Sequence, residues 1–480
     1  MADFIVAIEL GSSKMTGIAG RKNLDGSINV LAVVKEDSTD CIRKGIVYNI
    51  DKTAQALMTI VKKLENNLKT KITHVYVGVG GQSIRSVKSV NVKNLPVETT
   101  VSQDMINELM DANRNMSYPE QEILDAATQE YKVDSQYQID PVGIQCTRLE
   151  GNFLNILWRK TFYRNLNKCF DNAGIAIAEM YLAPLALAES VLTTAEKRSG
   201  CMLVDLGADT TTVSVYSKNI LRHLAVIPLG SNNITKDIAS LQMEDKDAEN
   251  MKIKYGCAYT DNDDIDNTKK YPIDNDRSVD SRKFIEIVEA RMLEIIENAW
   301  YQIPNEYVDK LLGGIVLTGG GANMKNIEQA FRNTTHIDKI RVAKFVTQTI
   351  NSNNPAITAH DGTMNTILGL LAKGDMNCAG DEISNDLFGI APEVKPANGQ
   401  QTGEHKPQRT SGSGVVITEA EKQKAEEEEA RKKREAEEEL ERQRLEEEAE
   451  AERRRRDNSL FNRSWKGIKS FLKKMTEEEE

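Results

Sequence analysis

The sequence predicts an α/β protein with a duplicated unit, and three stretches carry that prediction. Residues 4–34 and 201–230 each contain a buried strand, a carboxylate near its end, a glycine-containing polar loop and a β-hairpin. Residues 313–321 add a strand that ends in three glycines before a predicted helix. Two matching units suggest two lobes that close on one ligand from both sides.

Both loops have the composition of a phosphate-binding site. Glu9 precedes the first loop at the position that Asp205 takes before the second. Backbone N–H groups and hydroxyls of such loops can bind phosphate oxygens, while the Asp205 carboxylate can hold hydrated Mg²⁺ or orient a water. The alternative for either motif alone is a plain turn, with a solvated lysine in the first. The candidate phosphate-binding residues are Gly11, Ser12, Ser13 and Lys14 in the first loop, and Gly207, Ala208, Asp209 and Thr210 in the second.

Two further motifs are compatible with a nucleoside. Glu249 and Lys252 lie three apart on one face of a predicted helix and could both hydrogen-bond a base or ribose; the alternative is a surface ion pair. The turn formed by Gly319, Gly320 and Gly321 would let the backbone approach a flat ligand closely. The helix predicted at 323–332 would favour an anion at its N-terminus.

Pattern and composition divide the rest of the chain. Predicted helices cover 51–69, 184–197 and 284–303, and another begins near His360. The predicted divisions are a first lobe at 1–81 and 163–200, a small inserted α+β subdomain at 82–162, a second lobe at 201–359 with a helical subdomain at about 231–305, a closing helix of the first lobe at 360–373, a disordered linker at 374–416, a charged helical spacer at 417–457 and an amphipathic helix at 458–476.

Composition excludes several classes of protein. The net charge of −11 disfavours general nucleic-acid binding. Six scattered cysteines without a CxxC pair favour reduced thiols over a zinc site or a disulfide framework. The N-terminus lacks a basic leader and no apolar run approaches the length of a membrane span, so we expect neither a signal peptide nor a transmembrane helix.

The last helix has the pattern of a membrane-surface helix. Large apolar residues recur at spacings of three and four, and cations flank them. Such a helix can lie in the headgroup region of an anionic bilayer; the alternatives are docking on a partner or folding back on the core. The predicted membrane-binding residues are Phe461, Trp465, Lys466, Ile468, Lys469, Leu472, Lys473 and Met475.

Several segments together resemble one family. These are QEYKVD at 129–134, ILRHLAVIPLG at 220–230, DAENMKIKYGCA at 247–258, GGIVLTGGGANMKNIE at 313–328, the module after Val79 and the terminal helix. They resemble the FtsA family of bacterial cell-division proteins, within the actin, Hsp70 and sugar-kinase superfamily. The resemblance covers roughly 3–373 and the tip of the tail.

The resemblance implies an actin-like, ribonuclease H-like two-lobed fold that binds Mg·ATP in its cleft. Asp205 would lie near Mg²⁺ and the attacking water, and the three glycines at 319–321 would pack on the adenosine together with Glu249 and Lys252. Glu9 replaces the aspartate usual in actins, which argues for slow hydrolysis at most, because the geometry of metal and water would change.

The resemblance also implies partners and a location. FtsA-like proteins polymerise on the cytoplasmic face of the inner membrane, tether FtsZ filaments through the FtsZ C-terminal peptide at the division septum, and recruit later division proteins. The charged spacer is longer than the family's usual tail. The alternative functions are an actin-like adaptor of pilus or other envelope assembly, a sugar kinase or chaperone of the same superfamily, and a structural coiled coil, which the scarcity of apolar heptads disfavours.

Overall fold

The computed structural model describes residues 3–379, 408–409 and 415–417. Contacts divide the chain into two compact units, and nearly all described residues belong to the first, Met1–Gly403 with Arg409–Ile417. Most of the predicted linker at 374–416, the charged spacer after its first residue and the amphipathic helix at 458–476 lie outside the described residues.

The first lobe begins with an antiparallel three-stranded meander and a helix that covers it. Leu57, Ile60 and Leu64 form the buried stripe of this helix, and Asn49 caps its N-terminus by accepting a hydrogen bond from the N–H of Lys52 at 3.0 Å. The helix predicted at 51–69 is therefore confirmed. The elements are β1 Asp3–Leu10, β2 Lys14–Lys22, β3 Ile28–Asp37, β4 Ile42–Arg43, β5 Ile46–Val47, α1 Ile50–Leu68 and β6 His74–Val79.

The inserted module is an antiparallel sheet with one helix. The helix is capped by Ser102, and its Ile106 and Leu109 share a core with Leu149 and Phe153 of the sheet. The module has its own small core because alternate strand residues point toward this helix. Its elements are β7 Arg85–Thr100, α2 Gln103–Arg114, β8 Gln121–Val133, β9 Gln136–Gln138 and β10 Gln145–Arg159.

The chain then returns to the first lobe, where the predicted single helix at 184–197 is wrong. Thr193 starts a new helix with a capping box: its hydroxyl accepts from the N–H of Glu196 at 3.2 Å, and the Glu196 carboxylate accepts from the N–H of Thr193 at 2.8 Å. The elements of this stretch are α3 Lys160–Ala173, β11 Ala176–Leu182, α4 Ala183–Val191 and α5 Thr194–Ser199.

The second lobe repeats the meander and carries the helical subdomain. Residues 281–301 form one long helix whose Phe284, Val288, Met292 and Ile296 are buried. The elements are β12 Cys201–Leu206, β13 Thr211–Ser217, β14 Ile220–Ile227, α6 Ser231–Ala239, α7 Asp245–Tyr255, β15 Lys270–Pro272, β16 Ser278–Asp280, α8 Ser281–Tyr301, α9 Asn305–Val308, β17 Gly314–Thr318, α10 Ile327–Thr335 and β18 Ile340–Val342.

The last described elements complete the first lobe. The helix predicted to begin near His360 starts later, because His360 and Gly362 both have positive φ and turn the chain first. Packing also continues past Lys373: Cys378 is buried and donates its N–H to the carbonyl of Phe4 at 2.7 Å. The elements are β19 Ile350–Asn351, α11 Pro355–Thr358, α12 Asn365–Lys373, β20 Gln408–Arg409 and β21 Val415–Ile417.

Two large sheets show the predicted duplication. One has the order β19-β3-β2-β1-β6-β11, with β21 antiparallel to β11. The other begins β18-β17-β12-β13-β14 and continues through β7-β10-β8-β9. β1 lies between antiparallel β2 and parallel β6, and β12 lies between antiparallel β13 and parallel β17. The duplicated two-lobed α/β fold is thus confirmed. Among the described residues, no helix has the length and apolarity needed to cross a bilayer.

A buried arginine joins the inserted module to the second lobe. Arg222 of β14 donates to the carboxylate of Glu130 at 3.0 Å and to the side-chain oxygen of Gln129 at 3.2 Å. Gln129 in turn donates to the carbonyl of Leu221 at 2.9 Å. Because both residues of β8 are bound to the hairpin of the second lobe, the module is held by more than its two chain connections.

We predict that Arg222→Ala lowers the free energy of unfolding by roughly 2 kcal/mol, because it leaves Gln129 and Glu130 without their buried partner. Lys218→Ala is the matched control: Lys218 reaches the same Glu130 carboxylate at 3.7 Å, but its side chain is 69% exposed. Its removal should cost less than about 0.5 kcal/mol. Urea unfolding of the full chain, followed by circular dichroism, measures both; equal losses would contradict the assignment of Arg222.

Candidate functional site

The two predicted loops have the same local geometry. At Gly11 an added Cβ would lie 2.6 Å from the carbonyl oxygen of Lys14, and at Gly207 it would lie 2.8 Å from that of Thr210. Each distance is too short for a side chain, so each tight turn requires glycine. Gly207 also donates its N–H to the carbonyl of Thr210 at 2.9 Å. The glycine before each polar loop is therefore explained by backbone crowding at equivalent places in the two lobes.

Both loops present backbone donors that the protein does not use. Within the described part of the chain, the N–H groups of Ser12, Ser13, Ala208 and Asp209 make no hydrogen bond to a protein acceptor. The loop carbonyls are engaged: Gly207 accepts from the N–H of Ser231 at 3.0 Å. Free N–H groups beside bound carbonyls give each loop the donor surface that an anion needs.

Consecutive residues of one connecting loop hold both candidate loops. The N–H of Gly45 donates to the hydroxyl of Ser12 at 2.8 Å, and the N–H of Lys44 donates to the carboxylate of Asp209 at 3.1 Å. Lys44 adopts the left-handed conformation, with φ of 50°. The second oxygen of the Asp209 carboxylate accepts from Asn232 at 2.8 Å. The Asp209 side chain thus links the lobes, which leaves its backbone N–H as its anion donor.

Two carboxylates occupy corresponding places in the two lobes, and the charge of Asp205 acts on Glu9. Glu9 pairs with Thr16 across the first hairpin, and Asp205 pairs with Thr212 across the second, so their positions correspond. Burial and the nearby charge of Asp205 raise the pKa of Glu9 to about 8, and burial raises the pKa of Asp205 to about 6. The pair therefore resists holding two negative charges in the absence of a cation.

The glycine turn is built against the second carboxylate. A side chain at Gly319, where φ is 84°, would collide with the Asp205 carboxylate, and one at Gly321 would lie 2.9 Å from the Leu206 Cβ. Only Gly320 borders open space, with the nearest atom of Thr363 at 3.7 Å. The sequence predicts that the three glycines let the backbone approach a flat ligand. At Gly319 and Gly321 the close neighbours are instead protein atoms, of Asp205 and Leu206.

The helix predicted directly after the glycine turn begins later. Residues 320–323 form a 3₁₀ turn, and Asn326 has a φ of 57°, so α10 starts at Ile327. The predicted helix N-terminus at 323 is wrong, because a left-handed residue separates the turn from the helix. The side chain of Asn323 instead donates to the carbonyl of Asp361 at 2.7 Å, which fixes the loop between α11 and α12 beside the turn.

Glu249 and Lys252 form an ion pair, and Lys252 is buried. The Lys252 ammonium lies 2.7 Å from the Glu249 carboxylate and donates to the hydroxyl of Thr235 at 2.8 Å and to the carbonyl of Ser231 at 3.1 Å. Its three donors are therefore all satisfied. Lys252 holds α7 against α6, whose Ser231 donates its N–H to the carbonyl of Gly207 in the second loop. The Glu249 carboxylate also accepts from the hydroxyl of Thr235, but it is 39% exposed.

The sequence patterns missed the connecting loop at 38–45. Besides its bonds to Ser12 and Asp209, it includes the hydroxyl of Ser38, which donates to the carbonyl of Gly11 at 2.6 Å. The available signal was a glycine after two cations, which is too common in loops to be diagnostic. These contacts join residues that are distant in the sequence, so periodicity could not find them.

Magnesium fits the donors of this region. Glu9 and Asp205 supply carboxylate oxygens, and a nearby cation would offset the cost of ionising these two buried groups. Mg²⁺ is commonly held by one or two carboxylates together with waters and phosphate oxygens. The described residues contain no group of three acidic, histidine or cysteine side chains that could hold a metal alone, so the phosphates would complete the site.

The duplicated lobes, with a carboxylate and a polar loop at the end of each first strand, define an actin-like protein of the kind that binds nucleotides. The solved structure of a PilM-PilN type IV pilus biogenesis complex is similar, with a TM-score of 0.53 over 76% of this chain and 97% of that chain, at 13% identity. At this identity the likeness concerns the fold alone.

The model for "Cell division protein FtsA" matches residues 202–362, and that for "SHS2 domain inserted in FTSA" matches residues 81–157. Proteins named cell division protein FtsA are similar over most of the chain. The one from Porphyromonas gingivalis is 31% identical over 410 residues, covering 83% of this chain and 85% of the relative. The one from Neisseria meningitidis is 34% identical over 331 residues, covering 68% of this chain and 80% of the relative. The chain belongs to the FtsA family of cell-division proteins, as its sequence motifs predicted.

We predict that without ligand the free energy of unfolding falls as the pH rises toward about 8. The folded-state pKa of Glu9 lies above its ordinary value, so folding favours the protonated carboxyl, and the stability present at low pH is lost on deprotonation. Asp205 acts in the same direction up to about pH 6. The free energy of unfolding should fall less between about pH 5 and pH 9 in Glu9→Gln than in the wild type, by at least about 1 kcal/mol.

Glu36→Gln is the control for this measurement. Glu36 lies on β3 and pairs with Lys63 of α1 at 2.5 Å, away from the two carboxylates. Chemical denaturation of the full chain at several pH values should show the wild-type dependence in this variant. An unchanged dependence in Glu9→Gln would show that Glu9 does not carry the effect.

Proposed function

We propose that the chain binds ATP with Mg²⁺ between its lobes, polymerises on the cytoplasmic face of the inner membrane and anchors FtsZ filaments at the division septum. The observation that carries the nucleotide part is the set of unused N–H donors at Ser12, Ser13, Ala208 and Asp209, on two loops held together by Lys44 and Gly45. Membership of the FtsA family supports the division part.

In this proposal the two loops, the glycine turn and the acidic residues bind different parts of the nucleotide. Phosphate oxygens accept from the N–H groups of both loops, and Lys14 adds a positive charge. Glu249 accepts from the ribose, and the glycine turn at 319–321 borders the adenosine, with its open side at Gly320. Glu9 and Asp205 hold Mg²⁺, which when bound neutralises charge on the phosphates.

Hydrolysis is slow at most in this proposal. Without a cation, a carboxyl with a pKa near 8 is largely protonated at neutral pH, and with Mg²⁺ bound Glu9 is occupied as a metal ligand, so in neither state is it a free general base. Asp205, with its pKa of about 6, is mostly ionised and is the better candidate to orient a water. ATP then acts chiefly by holding the lobes closed and favouring assembly.

The partners follow from the family and from the tail. The chain assembles with other copies of itself, binds the C-terminal peptide of FtsZ and recruits later division proteins. The helix predicted at 458–476 attaches the filament to anionic phospholipid. These residues lie outside the described part of the chain, so this step rests on their apolar and cationic pattern.

The alternative adaptor of pilus or envelope assembly has less support. The likeness to the pilus biogenesis complex reflects fold alone, at 13% identity. Relatives that cover two thirds or more of this chain at above 30% identity are named for cell division. The family assignment therefore favours the division role.

We predict that Lys14→Ala lowers the affinity for Mg·ATP about tenfold, because a charge-assisted contact to phosphate is lost. Lys14 is exposed, and in the described part of the chain its ammonium has no ion pair, so the fold should be unaffected. Lys52→Ala is the control, since Lys52 is exposed on the same lobe and pairs with Asp40 at 3.0 Å. Isothermal titration calorimetry measures both. Wild-type affinity in Lys14→Ala would argue against phosphate at the first loop.

A liposome assay tests the membrane step. The full chain should co-sediment with anionic vesicles, more so with Mg·ATP, and the double variant Trp465→Glu with Leu472→Glu should stay in the supernatant because two charges enter the apolar face. The control Leu440→Glu with Leu445→Glu places the same charges in the spacer and should sediment normally. If the Trp465 and Leu472 variant sediments as well as the wild type, the helix is not the membrane anchor.

A further inference from the structure

Lys35 lies in register with the first carboxylate on one face of a sheet. Glu9 of β1 is paired with Thr16 of β2, and Thr16 is paired with Lys35 of β3. Directly paired residues of neighbouring strands share a face, with Cβ atoms about 5 Å apart. Lys35 therefore stands on the face of Glu9, two strands away, at about twice the spacing of 4.8 Å between strands.

Helices leave the Lys35 end of this face open. On the same face, α12 packs over the β6 side, where Leu370 contacts Gly78, the parallel neighbour of Glu9. On the opposite face, α1 covers the sheet, and its Lys63 pairs with Glu36, the residue next to Lys35. The Lys35 side chain is exposed, whereas Thr16 beside it is buried. The lysine therefore borders the space between the lobes.

Three charged groups act on Lys35, but among the described residues none of them is in direct contact with it. Its ammonium is attracted by Asp361 and Glu9 and repelled by Lys14, and partial burial together with Lys14 lowers its pKa. Among the described residues, no carboxylate lies within 4 Å of its Nζ and it makes no hydrogen bond. Two neighbouring ammonium groups without an anion repel each other, so an anion between them would be stabilised by both.

The surroundings identify the anion. Lys14 belongs to the first loop, and Asp361 accepts through its carbonyl from Asn323, two residues after the glycine turn. The charges that act on Lys35 thus come from the loop that presents free N–H groups and from the segment beside the turn assigned to the adenosine. An anion that reaches from one to the other is a chain of phosphates attached to a nucleoside.

We propose that Lys35 is a second cationic contact for the phosphates of a bound nucleoside di- or triphosphate, acting together with Lys14. This inference rests on the proposed nucleotide site and adds a residue that none of the sequence motifs contained. The flexible four-carbon stem allows the ammonium to follow the phosphates as the lobes move. Its contribution should grow with the number of phosphates.

The test compares Lys35→Gln and Lys35→Arg with the wild type and with Lys63→Gln, in the full chain. Lys63 is the matched control because it lies beside the same strand on the opposite face. Isothermal titration with ATP, ADP, AMP and adenosine measures the affinities. Lys35→Gln should bind ATP about tenfold more weakly than the wild type, ADP with a smaller loss of affinity, and adenosine with unchanged affinity. Lys35→Arg should retain most of the affinity for ATP. A higher salt concentration should reduce the difference in ATP affinity between the wild type and Lys35→Gln.

The outcomes separate the two proposals. If the wild type binds ATP and Lys35→Gln binds it within twofold, the role of Lys35 is refuted while the nucleotide site stands. An equal loss for ATP and adenosine also refutes it, since the effect would then be structural. If the wild type binds none of the four ligands, both the site and the role of Lys35 are refuted.

Discussion

The site depends on two consecutive backbone N–H groups. Gly45 binds the first loop through Ser12, and Lys44 binds the second through Asp209, which is 165 residues away in the chain. A backbone donor cannot change its rotamer, so the distance between the loops is set by the conformation of one short segment. The left-handed conformation of Lys44 is the cost of this arrangement, and such strain persists only where surrounding contacts enforce it.

The cleft is electrostatically incomplete without a ligand. Burial disfavours the ionisation of both Glu9 and Asp205, and the charge of Asp205 adds to the effect at Glu9, while Lys14 and Lys35 repel across the same region. Strand register and burial hold the two carboxylates in place, so rearranging the protein would not relieve the conflict between them, whereas the two lysine side chains can turn apart. A bound anion with a cation satisfies both at once, so ligand binding should stabilise the closed lobes more than the free N–H donors alone would suggest.

Local patterns predicted most of the fold, because hairpins and amphipathic helices depend on residues close in sequence. Local patterns failed where the structure depends on contacts between residues that are distant in the sequence. The helix at 184–197 is divided at Thr193, whose partner Glu196 is also bound by Arg341 at 2.6 Å. The burial of Lys252 could not be predicted from the sequence, because it depends on the packing of α7 against α6. The role of the loop at 38–45 could not be predicted either, because it depends on a contact with the distant Asp209. The loops and their carboxylates were predictable because the same sequence pattern occurs twice, once in each lobe.

The inserted module has both covalent ends in the first lobe and is also bound to the second lobe through Arg222. Its root lies against the segment that holds both loops: Gly81, with φ of 105°, packs against Gly45. A rotation of one lobe relative to the other would therefore have to move the module or break these bonds, so a change in the cleft would reach the module's outer surface.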